Sequence, residues 1–213
     1  MKTDDLIAML ATNVEPVPHG QVERTVGIAI LVGGVAALVA MLLVLGVRTD
    51  LEAPRALSYL PLKLIFTLAI LALTSVALIG LARPGGEQST PIALVALPFA
   101  VIILLAALSL GSAPVSFWDD MIMGDNWLEC LLSIPIIAIV PFTIIVWAVR
   151  RTAPTDLVRT GALTGLAAGA VSATAYALHC TDDFLPFVAF WYGGTIAICT
   201  FAGAKLGPRL LRW

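Results

Sequence analysis

Long apolar runs separated by short polar stretches set the pattern of the chain. Six runs recur: Val26–Val47, Pro61–Ala82, Thr90–Leu110, Leu128–Val149, Thr160–His179 and Leu185–Leu206. Each is close to the ~20 residues that cross a bilayer as a helix. The pattern predicts an all-α integral membrane protein, a bundle of six transmembrane helices. Lys63 falls near the start of the second run, where its long stem can carry the ammonium group to the interface. Pro98 interrupts the third run, and Pro135 and Pro141 lie inside the fourth. Membrane helices tolerate proline because neighbours re-satisfy the freed backbone groups. The polar breaks are too short for a soluble domain. The chain therefore divides into a leading segment 1–25, a bundle 26–206 and a tail 207–213.

The leading segment has its own pattern. Thr3 precedes Asp4 and Asp5, then Leu6, Ile7, Met9 and Leu10. Thr3 suits a helix cap, and the two aspartates suit a first turn where the helix dipole favours negative charge. Leu6 and Leu10 stand four apart, with Ile7 and Met9 beside them, so one face is apolar. Pro16 and Pro18 end this short amphipathic helix. The segment is acidic and its first apolar run comes late, so it does not read as a cleavable signal.

Composition agrees with a membrane setting. Of 213 residues, 60% are hydrophobic and 12% charged, and the mean hydropathy is +0.99. A soluble domain is nearer half apolar and a quarter charged. The net charge of −2 matters less than its distribution. Lys2, Arg24, Arg83, Arg150, Arg151, Arg159, Lys205, Arg209 and Arg212, nine of the twelve basic residues, flank one side if both termini share it. Arg48, Arg55 and Lys63 flank the other. Basic residues gather on the cytoplasmic side, so both termini are expected on that side. The 48–60 loop fits least well.

Two cysteines are the candidate chemistry. Cys130 opens the fourth run and Cys180 follows the fifth, and these runs form a hairpin. At about 1.5 Å per residue both sulfurs rise roughly 28–30 Å from the cytoplasmic side. They reach a common depth at the outer face, where an oxidising compartment permits a disulfide. A soft metal is the other option, with Glu129 and His179 as auxiliary ligands. The plain alternative is that both are small packing residues. Cys199 is too deep to join them. Gly161, Gly165 and Gly169, with Gly203 and Gly207, form ladders for close helix approach, within the chain or at a homodimer seam. Trp118 and Trp127 stand among Asp119, Asp120 and Asp125 at the outer interface, while Trp147, Trp191, Tyr176 and Tyr192 read as interface or core aromatics.

Other classes fit less well. No ionisable residue sits at mid-bilayer depth, which disfavours an ion-coupled carrier, although Ser172 and Thr174 can line a polar path. A membrane thiol oxidoreductase usually carries CxxC, which is missing. No Walker loop, HExxH or GxSxG occurs, and neither an enzyme activity nor a cofactor is expected.

Taken together, Lys2–Leu10 (KTDDLIAML), Cys130–Pro135 (CLLSIP), the Arg150/Arg151/Pro154 loop, Gly165–Cys180, Trp191–Gly194 (WYGG) and the GPRLLRW ending resemble the NrsF family of membrane-bound anti-sigma factors. The resemblance implies an inner-membrane regulator that holds an extracytoplasmic-function sigma factor at the cytoplasmic face and makes no direct contact with nucleic acid. It further implies that oxidative or heavy-metal stress, sensed at Cys130 and Cys180, releases the partner. Thr3, Asp4, Asp5, Leu6, Ile7, Met9 and Leu10 are then the natural partner-binding residues, as an amphipathic helix in a groove.

Overall fold

The computed structural model describes Thr3, Met9 and residues 20–52, 54–82, 92–152 and 154–212. Their regular structure is all helical, with no strand among them. The order is α1 (Gln21–Val44), α2 (Pro54–Leu81), α3 (Leu97–Ser112), α4 (Trp118–Met123), α5 (Trp127–Arg150), α6 (Leu157–Tyr176), α7 (Leu185–Phe187) and α8 (Gly193–Leu210). A 3-10 turn, Ile92–Ala96, leads into α3, and a π-helical turn, Val188–Tyr192, joins α7 to α8.

Several boundaries differ from the sequence expectation. Pro98 does not interrupt a helix; it lies in the first turn of α3, where the missing N–H has no partner to lose. The second helix begins at Pro54, so Pro61 lies inside it. Pro135 and Pro141 are carried within a continuous α5.

The centre of the bundle is α6, packed against α8, α5, α2 and α1. Asp156 caps its start, accepting the Arg159 N–H at 2.9 Å. Nearly every residue from Thr160 to Tyr176 is buried, around the full circumference. This explains its unusual sequence: it is enclosed by other helices, so small residues suit it better than oily ones. Gly161 faces the Gly203 carbonyl and Gly165 the Cys199 carbonyl, and a Cβ on Gly203 would lie 2.9 Å from the Gly165 Cα. The glycine ladder is thus used inside the chain, between α6 and α8. Hydroxyls in the interior bond back to the preceding turn, as Thr164 does to Thr160 O and Thr174 to Ala170 O, both at 2.8 Å. Back-bonding of this kind satisfies these two hydroxyls inside an apolar core, whereas the Thr160 and Ser172 hydroxyls in the same helix have no partner.

The outside is the reverse of a soluble protein. Leu31, Leu43, Val44, Ile103, Leu104, Ile136 and Ile139 are exposed, Leu43 to 81%. Among the described residues, Gln21–Val44, Ala56–Leu81, Ala93–Ser112, Val115–Arg150 and Leu185–Leu210 are long and apolar enough to cross a membrane. The expected fifth span, α6, is not among these five, because its small and hydroxylated residues lower its hydropathy.

Candidate functional site

Four parts of the chain meet at one end of the bundle: the exit of α1, the first turns of α2, the start of α5, and the 177–184 loop after α6. The loop is fixed by its acidic pair. Asp182 accepts the backbone N–H of Asn126 at 2.8 Å and of Asp125 at 3.3 Å, anchoring the turn that starts α5. Gly124 in that turn has φ 56° and ψ −173°, a region essentially reserved for glycine. A Cβ there would lie 2.8 Å from both Asp182 and Phe187.

Asp183 turns inward, to a buried charge cluster. Its Oδ2 accepts from Arg48 Nη2 at 2.7 Å and its Oδ1 from Arg48 Nη1 at 2.9 Å. Lys63 Nζ meets Asp183 Oδ1 at 2.8 Å. Arg48 also forks onto Asp50, with Nε at 2.6 Å and Nη2 at 2.8 Å. Both cations reach the Cys180 carbonyl, Arg48 Nη1 at 3.0 Å and Lys63 Nζ at 3.2 Å. A guanidinium has five N–H groups, and these five bonds use them all. The Arg48 side chain is 0% exposed, and those of Lys63 and Asp183 are 1% exposed. Lys63 therefore does not snorkel to the interface; a buried carboxylate draws it inward. Arg48 is not a free loop charge either. The two carboxylates raise its pKa, and hydrogen bonding to Arg48 holds Asp50 below the usual carboxylate range.

The thiols lie directly beneath. Cys130 and Cys180 are both free, buried and in one apolar cluster. The Cys180 thiol points to Asp182 O at 3.9 Å, and burial pushes its pKa up. Tyr176 and Tyr192 share the cluster, with rings 6.0 Å apart. The buried Tyr176 hydroxyl has no hydrogen-bond partner, while the Tyr192 hydroxyl lies beside the Cys180 thiol. The π turn puts Tyr192 here, with Lys63 Nζ 5.5 Å from its ring centre.

His179 and Glu129 also meet, at 3.1 Å between Nε2 and Oε1, while His179 Nδ1 lies 3.0 Å from Gly46 O. Each ring nitrogen thus has a protein partner. Among the described residues no group of three or more His, Cys, Asp or Glu side chains is arranged to hold a metal ion. Cys199 lies elsewhere, against Gly165 and Gly169 of α6. Trp127 stacks on Trp191 at 5.1 Å, and Trp191 Nε1 donates to Ile122 O at 2.8 Å. In the leading segment, Thr3 and Met9 are helical and exposed; Asp4, Asp5, Leu6, Ile7 and Leu10 lie outside the described residues.

The sequence reading missed the cluster of Arg48, Lys63 and Asp183. The signal was present: two cations on the side where basic residues are scarce, facing a pair of adjacent aspartates.

Comparison with known proteins gives this arrangement a family. The profile of NrsF, described as a negative regulator of sigma F, matches residues 10–213. The chain belongs to the NrsF family. It is 33% identical over 213 residues to the probable anti-sigma-F factor NrsF of Azospira oryzae, covering 100% of both chains. It is 32% identical over 219 residues to the anti-sigma-F factor NrsF of Caulobacter vibrioides, again covering 100% of both. No solved structure matches. The NrsF family is one of regulators, not enzymes, which leaves the carrier and thiol oxidoreductase readings without support.

Proposed function

We propose that this chain is an anti-sigma factor in the bacterial inner membrane. It holds an extracytoplasmic-function sigma factor at the cytoplasmic face and lets it go when Cys130 and Cys180 react. The observation that carries the reading is full-length likeness to two proteins named as anti-sigma factors. Six spans, α1, α2, α3, α5, α6 and the α7–α8 segment, form the bundle, with α6 enclosed by the others. Exposed leucines and isoleucines favour acyl chains around it. The pairing of Arg48 and Lys63 with Asp183 supports both termini facing inward. A cation buried on a carboxylate is not a free charge, so the outer side is poorer in basic residues than the raw count suggests.

The leading segment 1–25 is the partner-binding piece. Asp4 and Asp5 meet a basic surface and speed encounter; Leu6, Ile7, Met9 and Leu10 supply apolar anchors. At the other end the thiols sense oxidants or thiophilic metals. If they join, each loses a proton, and a peroxide-class oxidant takes the two electrons. A shift from 99% bound to 99% free needs about 5.5 kcal/mol of differential interaction. A disulfide is worth about 2–4 kcal/mol, enough for a large but partial release, whereas structural zinc sites reach about 10–16 kcal/mol.

The test is co-purification of the membrane-extracted protein with a sigma factor from the same cells. Deleting residues 1–15 should abolish capture while leaving the bundle in the membrane. Undiminished capture after that deletion contradicts the assignment of the tail.

A further inference from the structure

The connection between the thiols and the tail is open in the reading above, and the geometry supplies one. We propose that Arg48 is a positioning residue that ties the Cys180 corner to α1, so that α1 carries events at the thiols to the leading segment. This rests on the sensing reading just given.

Three observations converge on it. First, α1 spans 24 residues, about 36 Å at 1.5 Å per residue. It starts at Gln21, next to the leading segment, and ends at Val44, from which a short turn through Gly46 leads to Arg48; among the described helices it is the one that follows the leading segment directly. Second, its exit is bound to the 178–183 loop at several separate points. Arg48 N donates to Leu178 O at 3.1 Å. Gly46 O meets His179 Nδ1 at 3.0 Å. The Arg48 fork holds Asp183 and the Cys180 carbonyl together. Third, the lock is stiff and buried. All five guanidinium donors are used, and Lys63 ties α2 to the same carboxylate and the same carbonyl.

A helix held in this way moves as a body. Along its length α1 packs closely on α5 and α6; a Cβ on Gly33 would lie 3.1 Å from the Pro141 Cα. A reaction at Cys180 that turns its carbonyl or shifts the 181–183 backbone must break Arg48 bonds or carry Arg48 along. In either case the outer end of α1 changes its restraint, and the tail follows. Among the described residues, α3 carries no charged side chain that could make such a link. Lys63 is the second anchor, and its loss should act in the same direction but more weakly, because α2 is not joined to the tail.

The experiment uses the full-length protein with its cognate sigma factor, in membranes. Arg48→Lys keeps the charge and removes the fork. Asp183→Asn keeps the shape and removes the charge. Unstimulated affinity for the sigma factor and the oxidant dose for half-release are read for each, alongside membrane abundance. At normal abundance, Arg48→Lys should weaken unstimulated binding about 5-fold or more, the lower range of site-to-site coupling, and shift the release dose. Asp183→Asn should do the same, and Arg159→Gln, far from the cluster, should do neither. A merely structural role would lower abundance without moving the dose. Unchanged affinity and unchanged dose in both cluster variants would overturn the proposal. A normal oxidant response in a Cys130→Ser/Cys180→Ser protein would instead remove the thiols as input. Unstimulated affinity in Arg48→Lys would still decide whether the corner is coupled to the tail.

Discussion

Cys130 and Cys180 could be placed from the sequence by counting residues along two antiparallel helices, and His179 and Glu129 came with them. The partners that hold Cys180 could not. Arg48 and Asp183 are 135 residues apart, and a loop arginine is ordinarily read as solvated. Its fate depends on which carboxylate the fold delivers, and local pattern does not encode that. Burial also sets the chemistry of Cys180. Its pKa is raised above the ordinary thiol value of 9.0, with desolvation the main cause. The thiolate is the reactive form, so maleimide labelling of Cys180, in a Cys130→Ser/Cys199→Ser protein, should be slower than that of an exposed thiol at pH 7. The rate should still be climbing above pH 9; a plateau below that value contradicts the burial account. The sign for stability follows. A thiol whose pKa is higher folded than unfolded stabilises the fold fully below the unfolded value, and that contribution is lost as pH rises through the folded one.

At the scale of elements, the apolar runs were legible, because twenty-residue hydropathy is a strong signal. Their ends were not. Proline sets starts rather than interruptions at Pro98, and the π turn before α8 has no signature in period or composition. The most instructive element is α6. Its glycines predicted close approach, and the structure shows whom they approach: Gly161 and Gly165 face Gly203, Gly207 and Cys199 of α8. Substituting Gly165→Val should push α6 from α8 and destabilise by about 1–3 kcal/mol, the usual range for overpacking. By contrast, a Cβ on Gly27 meets nothing within 4 Å. Gly27→Ala should therefore be neutral or stabilising by up to about 1 kcal/mol. Thermal midpoints in detergent compare the two; equal effects would contradict the packing described for α6.

For the whole molecule, the account joins two ends of one bundle. At one end sit buried thiols under a roof of paired charges; at the other α1 begins, at Gln21. The class of protein could be read from motif, and composition pointed to long apolar helices, five of which among the described residues could cross a membrane. The proposed coupling between the ends could not be read from either, because it rests on packing: α1 follows the leading segment, and Arg48, just past its end, is bound to the Cys180 carbonyl. The most direct measurement is sigma-factor release from membranes of the Cys130→Ser/Cys180→Ser protein during exposure to a peroxide or a thiophilic metal. The account predicts that the partner stays bound at doses that free it from the unaltered protein. Release at the ordinary dose would contradict it.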